Sequence, residues 1–182
     1  MEVKISFIEP SGKEKHYDLT NTPHRESFAF SRFFSLAGTI VKSDKSSGYK
    51  YIRSSHWQEN KNRSGWVYMI CIEGKIIKIG QTDATLNSRF SSYQAGTRKN
   101  RIKGTCSVTN WYLSEVWRQF LDKDAKIEIF VMQAPEMLQE VNVFGVRKQV
   151  RNKLAYVYES AALDKFEKQY GKFPILSKNT NL

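Results

Sequence analysis

The fold of this chain is decided by residues 65–93, whose sequence is GWVYMICIEGKIIKIGQTDATLNSRFSSY. Before the turn pair Glu73-Gly74, Val67, Met69 and Cys71 alternate with Trp66, Tyr68 and Ile70, and after it Ile77 and Ile79 fall on one parity. Further on, Leu86, Phe90 and Tyr93 recur at helical spacing. The stretch therefore predicts two short half-buried strands joined as a β-hairpin and followed by an amphipathic helix.

The register of the hairpin decides which side chains meet across it. A two-residue turn at Glu73-Gly74 mixes apolar and polar side chains on one face. A three-residue loop that also includes Ile72 pairs apolar with apolar residues, and we expect this register. It sets Tyr68 directly opposite Lys78 on the other face, so that a phenol and an amine are presented together.

Short motifs on the two predicted strands resemble a known family. Trp66-Val67-Tyr68 and Lys78-Ile79-Gly80 are followed by Arg89 on the predicted helix. This order resembles the GIY-YIG nucleases, named for two motifs on paired strands that precede a helix carrying an arginine. Lysine replaces the tyrosine of the second motif. Together with Gly104-Thr105-Cys106-Ser107 and a helix-borne Glu159, that lysine is similar to the branch found among type II restriction endonucleases.

The resemblance covers roughly residues 65–174 and implies a fold class. We expect an α/β (α+β) protein with a small mixed, mostly antiparallel sheet flanked by helices. Residues 1–64 are predicted to form an N-terminal extension for DNA contact, dimerisation or both. Residues 65–175 form the predicted nuclease domain, and residues 176–182 a C-terminal tail.

The resemblance also implies an active site. Its expected catalytic residues are Tyr68, Lys78, Arg89, Tyr93 and Glu159, with Gly80 and Gln81 in supporting positions. In these roles Glu159 holds one Mg²⁺ or another divalent cation such as Mn²⁺, and Arg89 clamps a phosphate oxygen. Tyr68 and Lys78 handle the proton, although neither is a good base at its reference pKa near 10. We expect Arg89 and the cation to lower both pKa values, and which of the two is the general base stays open.

The charge of the chain points to an anionic partner. Its 182 residues contain 29 Lys and Arg against 18 Asp and Glu, a net charge of +11. Such a basic chain favours nucleic acid before a membrane surface. Residues 98–103, RKNRIK, are expected to form an exposed loop that contacts phosphates. The candidate DNA-binding residues are Arg98, Lys99, Arg101, Lys103, Thr105, Ser107, Arg147, Lys148 and Arg151.

Three further helices are predicted outside the central stretch. One is capped by Thr109 or Asn110 and carries an apolar stripe at helical spacing, Leu113, Val116, Trp117, Phe120 and Leu121. Residues 25–37, RESFAFSRFFSLA, are rich in Phe and follow Pro23, which is typical of a helix start. Residues 152–170 carry the helix with Glu159, and Gly171 ends it. Its expected inward positions are Leu154, Tyr158, Ala161, Ala162, Phe166 and Tyr170.

Other classes of protein are less well supported. No apolar run is long enough to span a bilayer and the first residues lack a secretory signal pattern, so the cytoplasm is expected. Cys71 and Cys106 are far apart and are interpreted as free thiols. The three histidines precede residue 65 and lack zinc-ligand spacing, and neither nucleotide-binding glycine motif is present.

The resemblance implies a Mg²⁺-dependent type II restriction endonuclease acting on double-stranded DNA, and the basic charge agrees with a nucleic-acid partner. A homodimer on a palindromic site is the simplest way to cut both strands. A companion DNA methyltransferase is the expected cellular partner. The alternatives are another GIY-YIG nuclease, of homing or repair type, and a DNA-binding module that has lost catalysis.

Overall fold

A computed structural model describes residues 4–177, so residues 178–182 of the predicted tail lie outside the described range. The strands are β1 (Lys4–Ile8), β2 (Glu14–Asp18), β3 (Ser35–Lys42), β4 (Tyr49–Arg53), β5 (Ser64–Ile72), β6 (Lys75–Thr85), β7 (Ile127–Gln133), β8 (Glu136–Val143) and β9 (Val146–Lys153). The α-helices are α1 (Ser55–Glu59), α2 (Leu86–Gln94), α3 (Arg98–Ile102), α4 (Val108–Leu121) and α5 (Ala155–Tyr170).

Five strands form the central sheet, in the order β4-β3-β7-β5-β6. Each of its pairings is antiparallel. Two separate hairpins, β1-β2 and β8-β9, stand beside it. The expected fold class, an α+β protein with a mostly antiparallel sheet flanked by helices, is confirmed.

Two strands of the central sheet come from the region before residue 65. Strand β3 pairs with β7 and β4 pairs with β3. The predicted boundary at residue 64 therefore cuts through the hydrogen-bonded sheet, because residues 35–53 belong to it structurally. A role of residues 1–64 in DNA contact or dimerisation stays a prediction.

Strand β5 is buried on both faces, and this differs from the half-buried strand that we expected. Val67 and Met69 pack in one apolar cluster with Ala162 and Phe166 of α5. A second cluster, which includes residues of α2 and α4, contains Trp66, Tyr68, Ile70 and Ile72 of β5. The sheet is thus covered by α5 on one face and by α2 and α4 on the other.

The observed register of the β5–β6 hairpin differs from the predicted one. Ile72 pairs with Lys75 across a two-residue turn, and a bulge follows between Ile70 and Cys71. Tyr68 consequently lies opposite Gly80, and Lys78 lies opposite Ile70. The predicted register was wrong because it assumed that only one face needed apolar residues, whereas both faces are covered.

The turn itself places a non-glycine residue in the left-handed region. Glu73 has φ of 50° and Gly74 has φ of 71°, as in the turns that favour tight hairpins. Contacts to Lys126 hold Glu73 there. Its backbone N–H donates to the Lys126 carbonyl at 2.9 Å, and its carboxylate accepts from the Lys126 N–H.

Helix α2 forms as the local pattern predicts. The Thr85 side chain accepts a hydrogen bond from the Ser88 N–H at 3.2 Å and caps the helix. Leu86, Phe90 and Tyr93 are buried. The amphipathic helix predicted from their spacing is confirmed.

Two other predicted segments take a different form. Residues 98–102 are the short helix α3 rather than a loop, because the Thr97 side chain accepts from the Asn100 N–H and caps it. Residues 25–37 form two 3₁₀ turns, Arg25–Ser27 and Ser31–Phe33, and then enter β3. Phe28 of this segment packs against α5, with the Phe28 and Phe166 ring centroids 5.4 Å apart.

The inward face of α5 also differs in part from the expectation. Ala155, Ala162, Leu163 and Phe166 are its buried residues. Tyr158 and Ala161, which we expected to face inward, are exposed. Both cysteines are free thiols, as expected. Within residues 4–177, no helix is both long and apolar enough to cross a membrane.

The pairing of Tyr68 with Gly80 predicts a steric coupling. A Cβ atom at residue 80 would collide with the Tyr68 hydroxyl and ring. We expect Gly80→Ala to lower the free energy of unfolding by about 1–3 kcal/mol, as overpacking does in a dense core. Urea unfolding measures the change. In a Tyr68→Leu background the same substitution costs markedly less, and an equal cost in both backgrounds would contradict this packing.

Candidate active site

Three side chains meet at the hydroxyl of Tyr68. Arg89 donates to it through Nε at 3.1 Å and through Nη2 at 2.9 Å. The hydroxyl of Tyr93 lies 2.5 Å away. The guanidinium group also lies over the Tyr93 ring, 4.7 Å from its centroid. We call these residues, Tyr68, Arg89 and Tyr93, the tyrosine–arginine cluster.

Helix periodicity and sheet contacts position this cluster. Arg89 and Tyr93 are four residues apart on α2 and therefore share a face of that helix. The rest of α2 is anchored from β4, where Tyr49 donates to the Tyr93 carbonyl at 3.0 Å and Tyr51 donates to the Phe90 carbonyl at 2.9 Å. Sequence reasoning missed both tyrosines, since their only signal was ordinary strand alternation.

Burial keeps the phenols of the cluster protonated. Tyr68 and Tyr93 have no exposed surface. Burial is the main cause that raises the pKa of Tyr68, and the positive charge of Arg89 opposes it only in part. Burial also raises the pKa of Tyr93. Arg89 acts on the pKa of Tyr68 in the direction that we expected, but loss of solvent outweighs this charge. The expected contribution of a bound cation stays a prediction.

Lys78 lies on the same face of the hairpin as Tyr68, two pairs further along. Its side chain is only 6% exposed. Burial and then the charge of Arg89 lower the pKa of Lys78 to about 8, and Glu159 opposes them. The lowered pKa that we expected is therefore present, although burial is its first cause.

A short C-terminal segment, residues 174–177, covers this part of β6, and we call it the C-terminal strap. The Lys78 ammonium donates to the Leu176 carbonyl at 2.7 Å. On either side, the Leu176 N–H donates to the Ile77 carbonyl at 2.9 Å and the Ile79 N–H donates to Ser177 Oγ at 2.7 Å. Leu176 and Ser177, predicted as the start of a tail, thus bind the edge of the sheet.

Glu159 approaches from α5, on the other side of the sheet. Its carboxyl is half-buried, and burial raises its pKa while Lys78 and then Arg89 lower it. Glu159 is thus electrostatically coupled to Lys78 and to Arg89. Because β6 is the edge strand, α2 and α5 flank the same edge from opposite faces.

The protein side chains near this edge fit one hard cation, most of whose ligands would be water and phosphate oxygens rather than protein groups. Among residues 4–177, no group of three or more His, Cys, Asp or Glu side chains is placed to hold a metal. One carboxylate remains, Glu159, whose charge is poorly solvated. Mg²⁺ commonly binds through one or two carboxylates, with water and phosphate oxygens completing its shell.

The two supporting residues lie on different faces of β6. Gly80 gives the Tyr68 ring its space, as described above. Gln81 pairs with Val67, on the α5 side. Its Oε1 is buried and accepts no hydrogen bond from the described residues.

The basic residues after α2 form an exposed surface around α3. Arg98, Lys99 and Lys103 are exposed and Arg101 is half-buried. Thr105 and Ser107 follow, also exposed. Ser107 caps α4 by accepting from the Asn110 N–H at 3.2 Å. These six predicted DNA-binding residues thus form one continuous stretch that follows the helix of Arg89.

The other three predicted DNA-binding residues lie elsewhere, on the β8–β9 hairpin. Arg147 and Arg151 are paired there with carboxylates of β8. Arg147 lies 3.5 Å from Glu140, and Arg151 lies 3.3 Å from Glu136. Lys148 is exposed on the same strand.

Solved structures share this fold. The chain is similar to the restriction endonuclease HPY188I in complex with product DNA, with a TM-score of 0.61 and 24% identity over 97% of this chain and 94% of that one. It is also similar to a mutant of bacteriophage T4 EndoII, with a TM-score of 0.57 and 17% identity over 82% of this chain and 96% of that one. No protein-family model and no curated protein sequence matches the chain.

The buried amine of Lys78 predicts a pH-dependent stability. Its pKa is about 8 in the folded chain against an ordinary 10.5, so above pH 8 the unfolded chain binds more protons. Stability then rises with pH up to the unfolded value. Relative to Lys78→Met, the wild type gains up to about 3 kcal/mol of unfolding free energy over this window. Urea unfolding of both proteins at several pH values measures the gain, and parallel curves would contradict it.

Proposed function

We propose that this chain is a type II restriction endonuclease of the GIY-YIG family that hydrolyses double-stranded DNA at a short specific sequence. The observation that carries the proposal is the hydrogen-bonded cluster of Tyr68, Arg89 and Tyr93. Support comes from Lys78 and Glu159, whose charges are coupled to each other and to Arg89. The shared fold of a restriction endonuclease and a phage protein supports it. The basic surface around α3 supplies an attractive potential for a polyanion.

Phosphodiester hydrolysis needs charge stabilisation at the phosphate and a group that takes a proton from water. Arg89 is anchored through Nε and Nη2 on the Tyr68 hydroxyl. Its remaining N–H groups suit a non-bridging phosphate oxygen, because a guanidinium fork matches that geometry. Because these hydrogen bonds already hold the guanidinium group in place, Arg89 loses little conformational freedom when negative charge grows on the phosphate.

Lys78 is the better proton acceptor of the two candidates. With a pKa of about 8, much of it is neutral near pH 8, whereas burial holds the Tyr68 phenol protonated. The Leu176 carbonyl takes one N–H of the amine and orients it. In this mechanism Tyr68 and Tyr93 position the attacking water, and Lys78 accepts its proton directly or through the Tyr68 phenol.

Glu159 is the residue that would hold a divalent cation, Mg²⁺ or Mn²⁺. When bound, such a cation supplies Lewis-acid stabilisation of phosphate charge. Since burial penalises the Glu159 carboxylate, a cation beside it offsets that penalty. A single carboxylate predicts weak binding in the absence of DNA.

Two other functions are separated by the products that they give. A homing or repair nuclease of the same family would cut a long site or nick one strand. A DNA-binding module without catalysis would bind and leave the DNA intact. The direct test is incubation with long unmethylated duplex DNA, with Mg²⁺ or with EDTA, followed by sequencing of the fragment ends. Metal-dependent fragments sharing one short end sequence support the proposal, and binding without cleavage contradicts it.

Removing Glu159 or Arg89 tests the site assignment. We expect Glu159→Ala and Arg89→Ala each to lower the single-turnover cleavage rate by about 10²–10³-fold, as loss of a charge-stabilising group does. Glu167→Ala, which removes an exposed carboxylate from the same helix, serves as the control and keeps the parent rate. Folded Glu159→Ala or Arg89→Ala proteins that cut at the parent rate would rule out the assigned roles.

The basic surface around α3 predicts the salt dependence of DNA binding. The double variant Lys99→Ala, Lys103→Ala removes two exposed charges. If each contacts a phosphate, the slope of log affinity against log salt falls by about 2. Filter binding across a salt series measures it. The control, Lys45→Ala with Lys168→Ala, removes two exposed charges outside this surface and leaves the slope unchanged, whereas equal slopes for both variants would contradict phosphate contact at α3.

A further inference from the structure

The C-terminal strap covers the free edge of the central sheet. Strand β6 is the edge strand of that sheet, and backbone groups on an uncovered edge have no partners in the ladder. Pro174 of the strap is buried, and Ile175 and Leu176 pack against the apolar cluster that contains Tyr68. The strap is therefore a packed part of the fold beside the candidate active site.

A turn gives the strap its shape. The Ser177 N–H donates to the Pro174 carbonyl at 2.9 Å, as in a four-residue β-turn. Just before it, Lys172 donates to the Asn21 carbonyl at 2.9 Å and ties this part of the chain to the loop after β2. These contacts hold the strap in place without the Ser177 side chain, whose hydroxyl has a different partner.

The hydrogen bonds between the strap and β6 follow a parallel strand pairing except at one point. The Leu176 N–H donates to the Ile77 carbonyl at 2.9 Å. In a regular parallel ladder, the Leu176 carbonyl would accept the next hydrogen bond, from the Ile79 N–H. Here the Ile79 N–H donates instead to Ser177 Oγ at 2.7 Å. A side-chain hydroxyl thus takes the place of a backbone carbonyl in the ladder.

This exchange leaves the Leu176 carbonyl to Lys78. The Lys78 amine donates to that carbonyl at 2.7 Å. Ile79 has no exposed surface, and a buried N–H without an acceptor is costly. Without the Ser177 hydroxyl, the Ile79 N–H would therefore compete with the Lys78 amine for the same carbonyl oxygen.

The Lys78 amine depends on such a partner for its direction. A lysine amine sits on a flexible four-carbon stem and its N–H groups rotate. Arg89 repels its charged form and Glu159 attracts it, so the surrounding charges pull the amine in different directions. Arg89 itself is held by two hydrogen bonds to the Tyr68 hydroxyl. The Leu176 carbonyl gives Lys78 a comparable fixed point.

We propose that Ser177 is a positioning residue of the site. By accepting the Ile79 N–H, its hydroxyl reserves the Leu176 carbonyl for the Lys78 amine and so fixes the direction of that amine. The part of Ser177 in cleavage rests on the proposed function, in which Lys78 takes the proton from water. Since misplacing a reacting group by about 1 Å can slow a reaction by about 10²-fold, Ser177 acts on the rate through Lys78 without touching the reacting atoms.

Removal of the hydroxyl tests this role in cleavage. In Ser177→Ala, the Ile79 N–H loses its acceptor and draws the Leu176 carbonyl away from Lys78. We expect the single-turnover cleavage rate to fall by about 10- to 100-fold, while the dissociation constant for duplex DNA stays at the wild-type value. Ser177→Thr keeps a hydroxyl at this position and should restore a rate close to that of the wild type.

Ser27→Ala is the matched control. The Ser27 hydroxyl also joins a distant part of the chain, because its Oγ lies 2.9 Å from the Tyr170 hydroxyl. Its removal costs the fold a comparable contact and should leave the cleavage rate unchanged. Thermal melting confirms that each variant is folded.

A second measurement needs no DNA. Labelling with acetic anhydride, followed by mass spectrometry, reports how readily each lysine amine reacts. We expect labelling of Lys78 to increase severalfold in Ser177→Ala and to stay at the wild-type level in Ser177→Thr. Lys75, on the same strand, is the internal reference. It donates to the Leu19 carbonyl at 2.7 Å and to the Thr20 carbonyl at 2.9 Å, and its labelling should not change.

Several results would overturn the assignment. An unchanged rate in Ser177→Ala, or an equal loss in Ser177→Thr, would show that the hydroxyl does not position the amine. A faster Ser177→Ala enzyme would make the strap a lid that blocks the site, and weaker DNA binding at an unchanged rate would make Ser177 a DNA contact. Unchanged labelling of Lys78 in Ser177→Ala would refute the hold on the amine even if the wild type does not cut DNA. Failure of the nuclease proposal and failure of this assignment are thus distinguished.

Discussion

The hydroxyl group of Tyr68 is the point on which the arrangement of the site depends. It receives two N–H groups from Arg89 and meets the hydroxyl of Tyr93. A buried phenol without such partners would cost the folded chain more than a hydrogen bond. Tyr68 comes from β5 of the sheet, and the other two residues come from α2. This one oxygen therefore holds the sheet and α2 together.

Other features of the chain follow from placing a large polar ring there. Residue 80 must be glycine, because the Tyr68 ring occupies the space of its Cβ. The backbone of α2 is fixed from β4 by Tyr49 and Tyr51. Lys78 and Glu159 lie in partly or largely buried surroundings that disfavour their charged forms. Poorly solvated charged groups interact strongly with an anion or a cation that binds beside them, as a functional site requires. Their burial lowers the stability of the folded chain.

The features that local sequence predicts are those that local contacts determine. Helix α2 forms where the spacing of Leu86, Phe90 and Tyr93 placed it, since burial of one face needs only that spacing. The predicted hairpin is present, but its register differs from the predicted one, because Ile77 and Ile79 lie on opposite sides of the sheet. No local pattern reveals that both faces of a sheet will be covered.

Long-range contacts account for the remaining surprises. Lys78 is oriented by Leu176, 98 residues further along the chain, and no sequence signal links the two positions. The same holds for β3, whose sheet partner β7 begins at Ile127. The candidate catalytic residues were found through the resemblance of their motifs, whereas the hydrogen bonds from Tyr49 and Tyr51 that hold α2 became visible only in the folded chain.

The central claim is that a buried amine, rather than a phenol, takes the proton from water, and the pH dependence of single-turnover DNA cleavage tests it most directly. We predict a rate that rises about tenfold per pH unit and levels off near the Lys78 pKa of about 8. A rate that is flat across this range, or that keeps rising toward the higher pKa of the buried Tyr68 phenol, would contradict it.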